Sequence, residues 1–441
     1  MDIIVSCQCG KRFRTDSKYA GKETRCPACG APLTIPDAAP GVAVPDDHAT
    51  IQEAVEAAEP GGRILVRPGV YREPVTLRKH VEIVGDGPRE RIVLESPQKF
   101  CIAVMTDEAT VRGLTMRSLA QKGAFAVILL QGHLVVEDCD ISSNSAAGGG
   151  VGANDPAARL DLRRCQVHGD PDWAVLITNN ASATVEDCDI SGATEGAVGV
   201  DEGAEAEIRR CTVHDSKGKG VLADGRSRAV IEDCELYANA SLNVTARGGA
   251  DVSLKRCKVH GSQAAGVAFG AKSRGLVEDC DVFGNQGMGI GIIEGSAGDV
   301  RRCTVHDGLG MGVAVARNGR GLIEDSDISA NADSGLALLD NADLVVRGCK
   351  IRDGKTSGVA CVSARATVED CEVCGNSQAG FVIEQTTDLV IRNCRINGNG
   401  QEGVRAAGSG GTVSDCDLSG NAGGAWNLDA ASTLERFRNR E

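Results

Sequence analysis

Aromatic side chains make up only 3% of this 441-residue chain, with two Trp and three Tyr among them. So few rings leave few stacking platforms for sugars or bases. No apolar run approaches the length of a membrane span, so no membrane contact is expected. No leader is expected either, because Met1-Asp-Ile-Ile-Val is followed at once by polar residues and cysteine. Positive charge is in deficit: the net charge is −14, which argues against general nucleic-acid binding. Cysteine, by contrast, is plentiful at nineteen. Without a leader, that number fits a reducing, cytoplasmic setting better than a secreted disulfide scaffold.

Most of these cysteines keep a beat. They stand at Cys139, Cys165, Cys188, Cys211, Cys234, Cys257, Cys280 and Cys303, then at Cys349, Cys371, Cys394 and Cys416, spaced mostly by 23 residues. Ser326 fills the one gap on the same beat. A period of this size marks a solenoid, whose units bury a core only by stacking. In Val185-Glu-Asp-Cys188-Asp-Ile190 the inside–outside alternation slips by one residue before the cysteine, which is what a bend in a strand produces. The bend residue is Asp, Arg, Gly or Asn, and short polar residues or Gly accept the left-handed backbone of a one-residue corner. A glycine-headed alternation follows in each coil, as in Gly266-Val-Ala-Phe269, giving about three short strands per coil.

A second period is twice as long. Two residues before the beat stand Glu186, Arg209, Glu232, Lys255, Glu278 and Arg301, and one before it Asp187, Arg210, Asp233, Arg256, Asp279 and Arg302. Coils stack ~4.8 Å apart, so a column of like charges would repel along its length, whereas alternating signs form a ladder of ion pairs that fixes register. The cysteine column reads as core packing, since parallel Cβ vectors suit neither disulfides nor a shared metal; Cys101, Cys361 and Cys374, off the beat, read as core or turn residues. His168, His214, His260 and His306 recur only in alternate coils, ~9.6 Å apart. That is too far to share one metal, so they are expected to stack at turns with Ser191, Tyr237 and Phe283 between them.

The pattern resembles the right-handed parallel β-helix repeats of the pectin-lyase-like superfamily, from about Val44 to the C-terminus. The resemblance implies an all-β solenoid of about 15 coils, some 70 Å long at ~4.8 Å per coil. Thr50-Ile-Gln-Glu53 reads as a capping box opening a helix Ile51–Ala58 that plugs the first coil. Pro60–Tyr71 and Val81–Gly87 resemble the opening strands of pectin methylesterase-type β-helices, where that closer likeness ends.

The first 36 residues form a separate module. Cys7-Gln-Cys9-Gly10 and Cys26-Pro-Ala-Cys29-Gly30 present four thiols, the set a tetrahedral structural zinc requires. The segment resembles a zinc ribbon; the second pair matches its knuckle, while the first has one intervening residue and Ser6 where the regular knuckle has cysteine. Two disulfides are the alternative, and the missing leader favours Zn2+. Residues 37–44 read as a linker and 45–441 as the β-helix. The module carries +3, leaving −17 for the remainder.

Two functional classes remain open. The first is a non-catalytic binding scaffold for a protein or carbohydrate ligand, with the ribbon as a second contact point. The second is a polysaccharide-active enzyme, favoured by fold analogy because many relatives act on acidic polysaccharides. Fold does not fix function, and the carboxylates here belong to the repeat. The Gly-His-Gly of polygalacturonases is absent, and Asp155-Pro156 and Asp170-Pro171 lack the His or Glu that follows in mannuronan epimerases. If there is an active site, the irregular early coils with Asp155, Asp170 and Asp172 are the place to expect it. A nearly uncharged outward column of Leu176, Leu222, Ala268, Ala314, Ala337, Ala360 and Val382 is expected to be either a ligand or partner face, including a seam between copies of the chain, or simply well-stacked small residues.

Overall fold

In the computed structural model the described residues are 2–7, 9, 11–16, 19, 21–34, 41–386 and 388–441. The expected linker lies partly outside them, at residues 37–40.

One coil shows how the sequence winds. Glu205–Arg209 is its first strand, Thr212–His214 its second and Lys219–Ala223 its third. Between the first two stands Arg210 at φ 52°, and Asp138, Arg164, Asp187, Asp233, Arg256, Asp279 and Arg302 occupy the same left-handed corner in their own coils. Short polar residues are thus only half of the answer, since arginine bends the chain in alternate coils. Each Arg grips the Asp of the coil before it with a bidentate pair: Arg210 Nε and Nη2 donate to Asp187 at 2.8 and 3.0 Å, and Arg256 repeats this on Asp233 at 2.7 and 3.0 Å. That grip offsets the strain of the corner.

Strands pair in parallel with their equivalents one coil on. The second strands stack into a 15-stranded sheet running from Gly69–Arg72 to Arg395–Asn397. The right-handed solenoid has about 17 turns, two more than the sequence suggested. The difference arises where a coil lacks the marker: Leu114 precedes Cys139 at the beat, following the left-handed Gly113, and Asn439 follows Cys416. At ~4.8 Å per coil the solenoid is about 80 Å long.

Val, Ile, Leu and small residues fill the interior, and the beat cysteines lie among them, each at most 3% exposed. A buried asparagine ladder closes the loop side, with Asn376 Nδ2 donating to Asn399 Oδ1 at 3.0 Å and Asn399 to Asn421 at 2.9 Å. The helix Ile51–Ala57 covers the first coil with Ile51, Ala54 and Val55 buried. Thr50 caps it by accepting the Glu53 amide at 3.1 Å, while Glu53 accepts the amide of Ala49, one residue before the position a capping box would use. No helix among the described residues is long and apolar enough to cross a membrane.

The expected stacking is present for His214, His260 and His306, while His168 meets Asp140 at 2.9 Å. His214, Tyr237, His260, Phe283 and His306 form a column of parallel rings with centroids 4.6 to 5.3 Å apart. His214 is held between Asp189 at 3.1 Å and Asp215 at 2.7 Å, and His306 likewise between Asp281 and Asp307.

Candidate metal centre and ligand faces

The N-terminal module consists of two antiparallel hairpins, Asp2–Ser6 with Arg12–Asp16 and Glu23–Arg25 with Pro32–Thr34. Each carries a cysteine pair at its tip. The Cys26 amide donates to Ala31 O at 2.9 Å and the Gly30 amide to Cys26 O at 2.8 Å, with Gly30 at φ +74° completing the tight turn. The Cys7 amide donates to Lys11 O at 2.9 Å, so the shorter first pair turns comparably.

The four thiols converge until their sulfurs all lie within 4.8 Å of one another. Cys7 and Cys29 are 3.5 Å apart and Cys9 and Cys26 3.7 Å. A disulfide needs ~2.05 Å, whereas the edge of a tetrahedron with metal–sulfur bonds of ~2.3 Å is about 3.8 Å. Cys7, Cys9, Cys26 and Cys29 therefore form a group that can hold a metal ion. The Ala28 amide, and after it the Cys29 amide, hold the Cys26 thiol down to about 7 against burial, so it readily supplies a thiolate. Opposing its own contact with the Cys9 amide, crowding by the Cys9 thiol and burial push Cys7 up to about 12.

Along the beat the direction follows the neighbouring thiols. Contact with the Cys165 thiol, followed by burial, pushes Cys188 up to about 12, whereas the Cys234 and Cys280 thiols hold Cys257 down; off the beat, burial pushes Cys101 up to about 12. None is in a disulfide.

The apolar column of the third strands runs in unbroken register through Leu176, Gly199, Leu222, Thr245, Ala268, Gly291, Ala314, Ala337, Ala360 and Val382. It does not form an exposed strip. Ala337 and Ala314 are 0% and 2% exposed, Leu222 and Ala268 are buried, and Leu176, Ala360 and Val382 are half-buried. Larger side chains lie over its glycines. A Cβ at Gly199 would meet the Trp173 ring at 2.7 Å, one at Gly152 the Phe125 ring at 2.8 Å, and one at Gly291 Met288 Cε at 3.2 Å.

Those rings share a column. Phe100 pairs with Phe125, Phe125 with Gly149, Gly149 with Trp173 and Trp173 with Gly196, and all three rings are half-exposed. Three of the scarce aromatics thus share one column of the early coils, and Phe125 and Trp173 lie over glycines, where a Cβ would collide with the ring. Sequence reasoning missed this row, although phenylalanine, phenylalanine, glycine, tryptophan and glycine do recur at coil spacing.

Asp155, Asp170 and Asp172 do not converge. Asp155 accepts the Ala157 amide at 2.8 Å, Asp170 pairs with Lys217 at 2.8 Å, and Asp172 accepts the Ala147 amide at 2.9 Å and the Thr194 hydroxyl at 3.3 Å.

The model of the right-handed β-helix region family matches residues 101–240, 196–319 and 289–438, so the chain belongs to that family. No curated protein matches it. Among solved structures it is similar to the tailspike protein gp49 from Pseudomonas phage LKA1, with TM-score 0.53 and 10% identity over 72% of this chain and 76% of that one. The Azotobacter vinelandii mannuronan C-5 epimerase AlgE4 A-module matches with TM-score 0.39 and 16% identity over 90% and 97% of the two chains. For the Dettilon tailspike protein gp208 the values are 0.48 and 12% over 70% of this chain and 66% of that one. At such identities the likeness is one of fold.

Proposed function

We propose that the chain is a non-catalytic binding rod for a polysaccharide, with a zinc-holding ribbon as a separate contact module, working in a reducing compartment. The observation that carries this reading is the row Phe100, Phe125 and Trp173. Rings one and two coils apart in one column, half-buried, suit the apolar faces of sugar units along a chain. The carboxylates of the irregular coils are tied into turns and a surface ion pair, which favours binding over chemistry. Fold analogy with polysaccharide-active relatives points to the same ligand class. A seam between copies has less in its favour, because the apolar column is covered.

The test is a panel of neutral and acidic polysaccharides, followed by Trp fluorescence and affinity electrophoresis, with product analysis alongside. Binding without turnover is expected, weakened about tenfold or more in Trp173→Ala. Shortened or epimerised product would overturn the non-catalytic reading, and binding indifferent to Trp173→Ala and Phe125→Ala would remove the row from it. For the ribbon, elemental analysis is expected to show about one zinc per chain, lost in the Cys26→Ser, Cys29→Ser double variant. Purified protein without bound metal would overturn that part.

A further inference from the structure

The first strands present two outward columns beside each other. His133, Arg159, Ser182 and Glu205 follow one another in the first, and Asp161, Thr184 and Glu207 in the second. Further along, the first column alternates in sign, Arg228, Asp251, Arg274 and, after the neutral Ala297, Arg320, Asp343, Arg365. The coils from His133 to Glu207 break that alternation. Short hydroxyl side chains at Ser182 and Thr184 sit between longer ones in the coils before and after, leaving an open groove of about 410 Å3. That volume lies within the usual ~300–1,000 Å3 of small-ligand sites.

The groove's groups divide into tied and free. Asp161 faces His133 Nε2 at 3.3 Å and accepts from Arg163 at 2.9 Å, and Glu207 pairs with Arg209 at 2.8 Å. Arg159, Glu205 and Arg228 make no ion pair among the described residues, and neither do Asp251 and Arg274 farther along the column. Free guanidinium donors therefore alternate along the rod axis with a free carboxylate acceptor, over hydroxyls that both donate and accept. Positive and negative side chains nearly balance, so the groove selects strongly for neither an anion nor a cation. Vicinal hydroxyls satisfy such a set, and the coil rise of ~4.8 Å is close to the advance of one hexose in an extended chain.

We infer that this groove is a second binding site, in a different strand column from the aromatic row, for a neutral hexose oligosaccharide lying along the rod axis, with Arg159 and Glu205 gripping ring hydroxyls and His133 held in place by Asp161. The inference rests on the glycan-binding reading above for its ligand class alone. Its test uses the full chain with cellotetraose, maltotetraose and laminaritetraose, and trigalacturonate as the anionic comparison, by calorimetry and ligand-observed NMR. One neutral tetraose is expected to bind. Thr184→Arg, which fills the groove, and Glu205→Gln, which removes the charged acceptor, each weaken it about tenfold or more, while Arg274→Ala, farther along the same column, leaves it unchanged. Unaltered melting curves exclude misfolding of the variants. Failure of all three neutral probes, or preference for trigalacturonate, overturns the inference. Loss of tetraose binding in Trp173→Ala but not in the groove variants overturns it too, leaving the glycan-binding rod intact.

Discussion

At several corners of the solenoid the regular strand pairing breaks, and the amide of the beat residue finds its acceptor in the sulfur one coil further on. Cys188 N donates to Cys211 Sγ at 3.5 Å, and Cys211 N to Cys234 Sγ at 3.4 Å. The thiol in turn donates to the carbonyl two residues back, 3.1 Å from Cys188 Sγ to Glu186 O. Ser326 does both with its hydroxyl, accepting the Cys303 amide at 3.1 Å and donating to Glu324 O at 2.9 Å. An unpaired buried amide costs about 1–3 kcal/mol. Cys211→Ala is therefore expected to destabilise the protein by about that much in urea denaturation, and Cys211→Ser by clearly less; equal losses would refute the acceptor role. The beat was legible in the sequence, but this reason for it was not, because a cysteine among apolar residues reads as small filler and its polar capacity shows only once the corner amide is placed. The same is true of the arginines at left-handed corners. Arg210→Ala loses the grip on Asp187 and keeps the strained backbone, so Arg210→Gly, which relieves the strain, is expected to melt at a higher temperature than Arg210→Ala.

The columns are the elements of this fold, and their stability is set by charge. Hydrogen bonds from the following coil's Arg hold Asp138, Asp187, Asp233 and Asp279 below the usual carboxylate range. Asp140 raises His168; burial pulls His306 down, but Asp307 and Asp281 more than offset it and raise it. A depressed carboxylate contributes stability above its unfolded value of about 3.9 that is lost as pH falls through the folded value, whereas a raised histidine contributes stability below about 6.5 that is lost as pH rises through its folded value. Melting temperature is thus expected to peak between about pH 4 and 6.5 and to fall on both sides. The alkaline decline should shrink in a His168→Gln, His306→Gln variant and the acid decline in high salt; a flat profile would count against the ladders. Charge columns and ring stack were legible because they recur at a fixed interval. The exposure of the apolar column was not, since register tells which way a side chain points and nothing about Trp173 or Met288 lying over it. The groove at Ser182 escaped notice for the opposite reason: it is a break in a pattern, visible only against columns whose register is known.

At the scale of the whole molecule, the direction of the Arg–Asp grip divides the solenoid into coil pairs. Arg210 reaches back to Asp187 and Arg256 back to Asp233, so the unit is two coils. Deleting residues 211–256 removes one such unit and preserves the alternation of sign. Deleting only 211–233 brings the coil of Arg209 and Arg210 against that of Lys255 and Arg256. The shorter deletion is expected to lower the melting temperature more, contrary to any rule based on length. Circular dichroism melts of the two variants would check this, and equal losses would show that the ladders do not set register.

The thiol carried inside nearly every coil has a consequence for observing the rod. Cys139, Cys257 and Cys416 are 0%, 1% and 2% exposed, so an alkylating reagent reaches each only when its own coil opens. Mass spectrometry of partially labelled protein then reads a rate at each step along the axis, the chain serving as its own strain gauge. Repeat arrays open by nearest-neighbour steps. Cys416, whose coil stacks against the mostly exposed strand Thr433–Phe437, is expected to label well before Cys257, and the profile between them would locate where the rod gives way first.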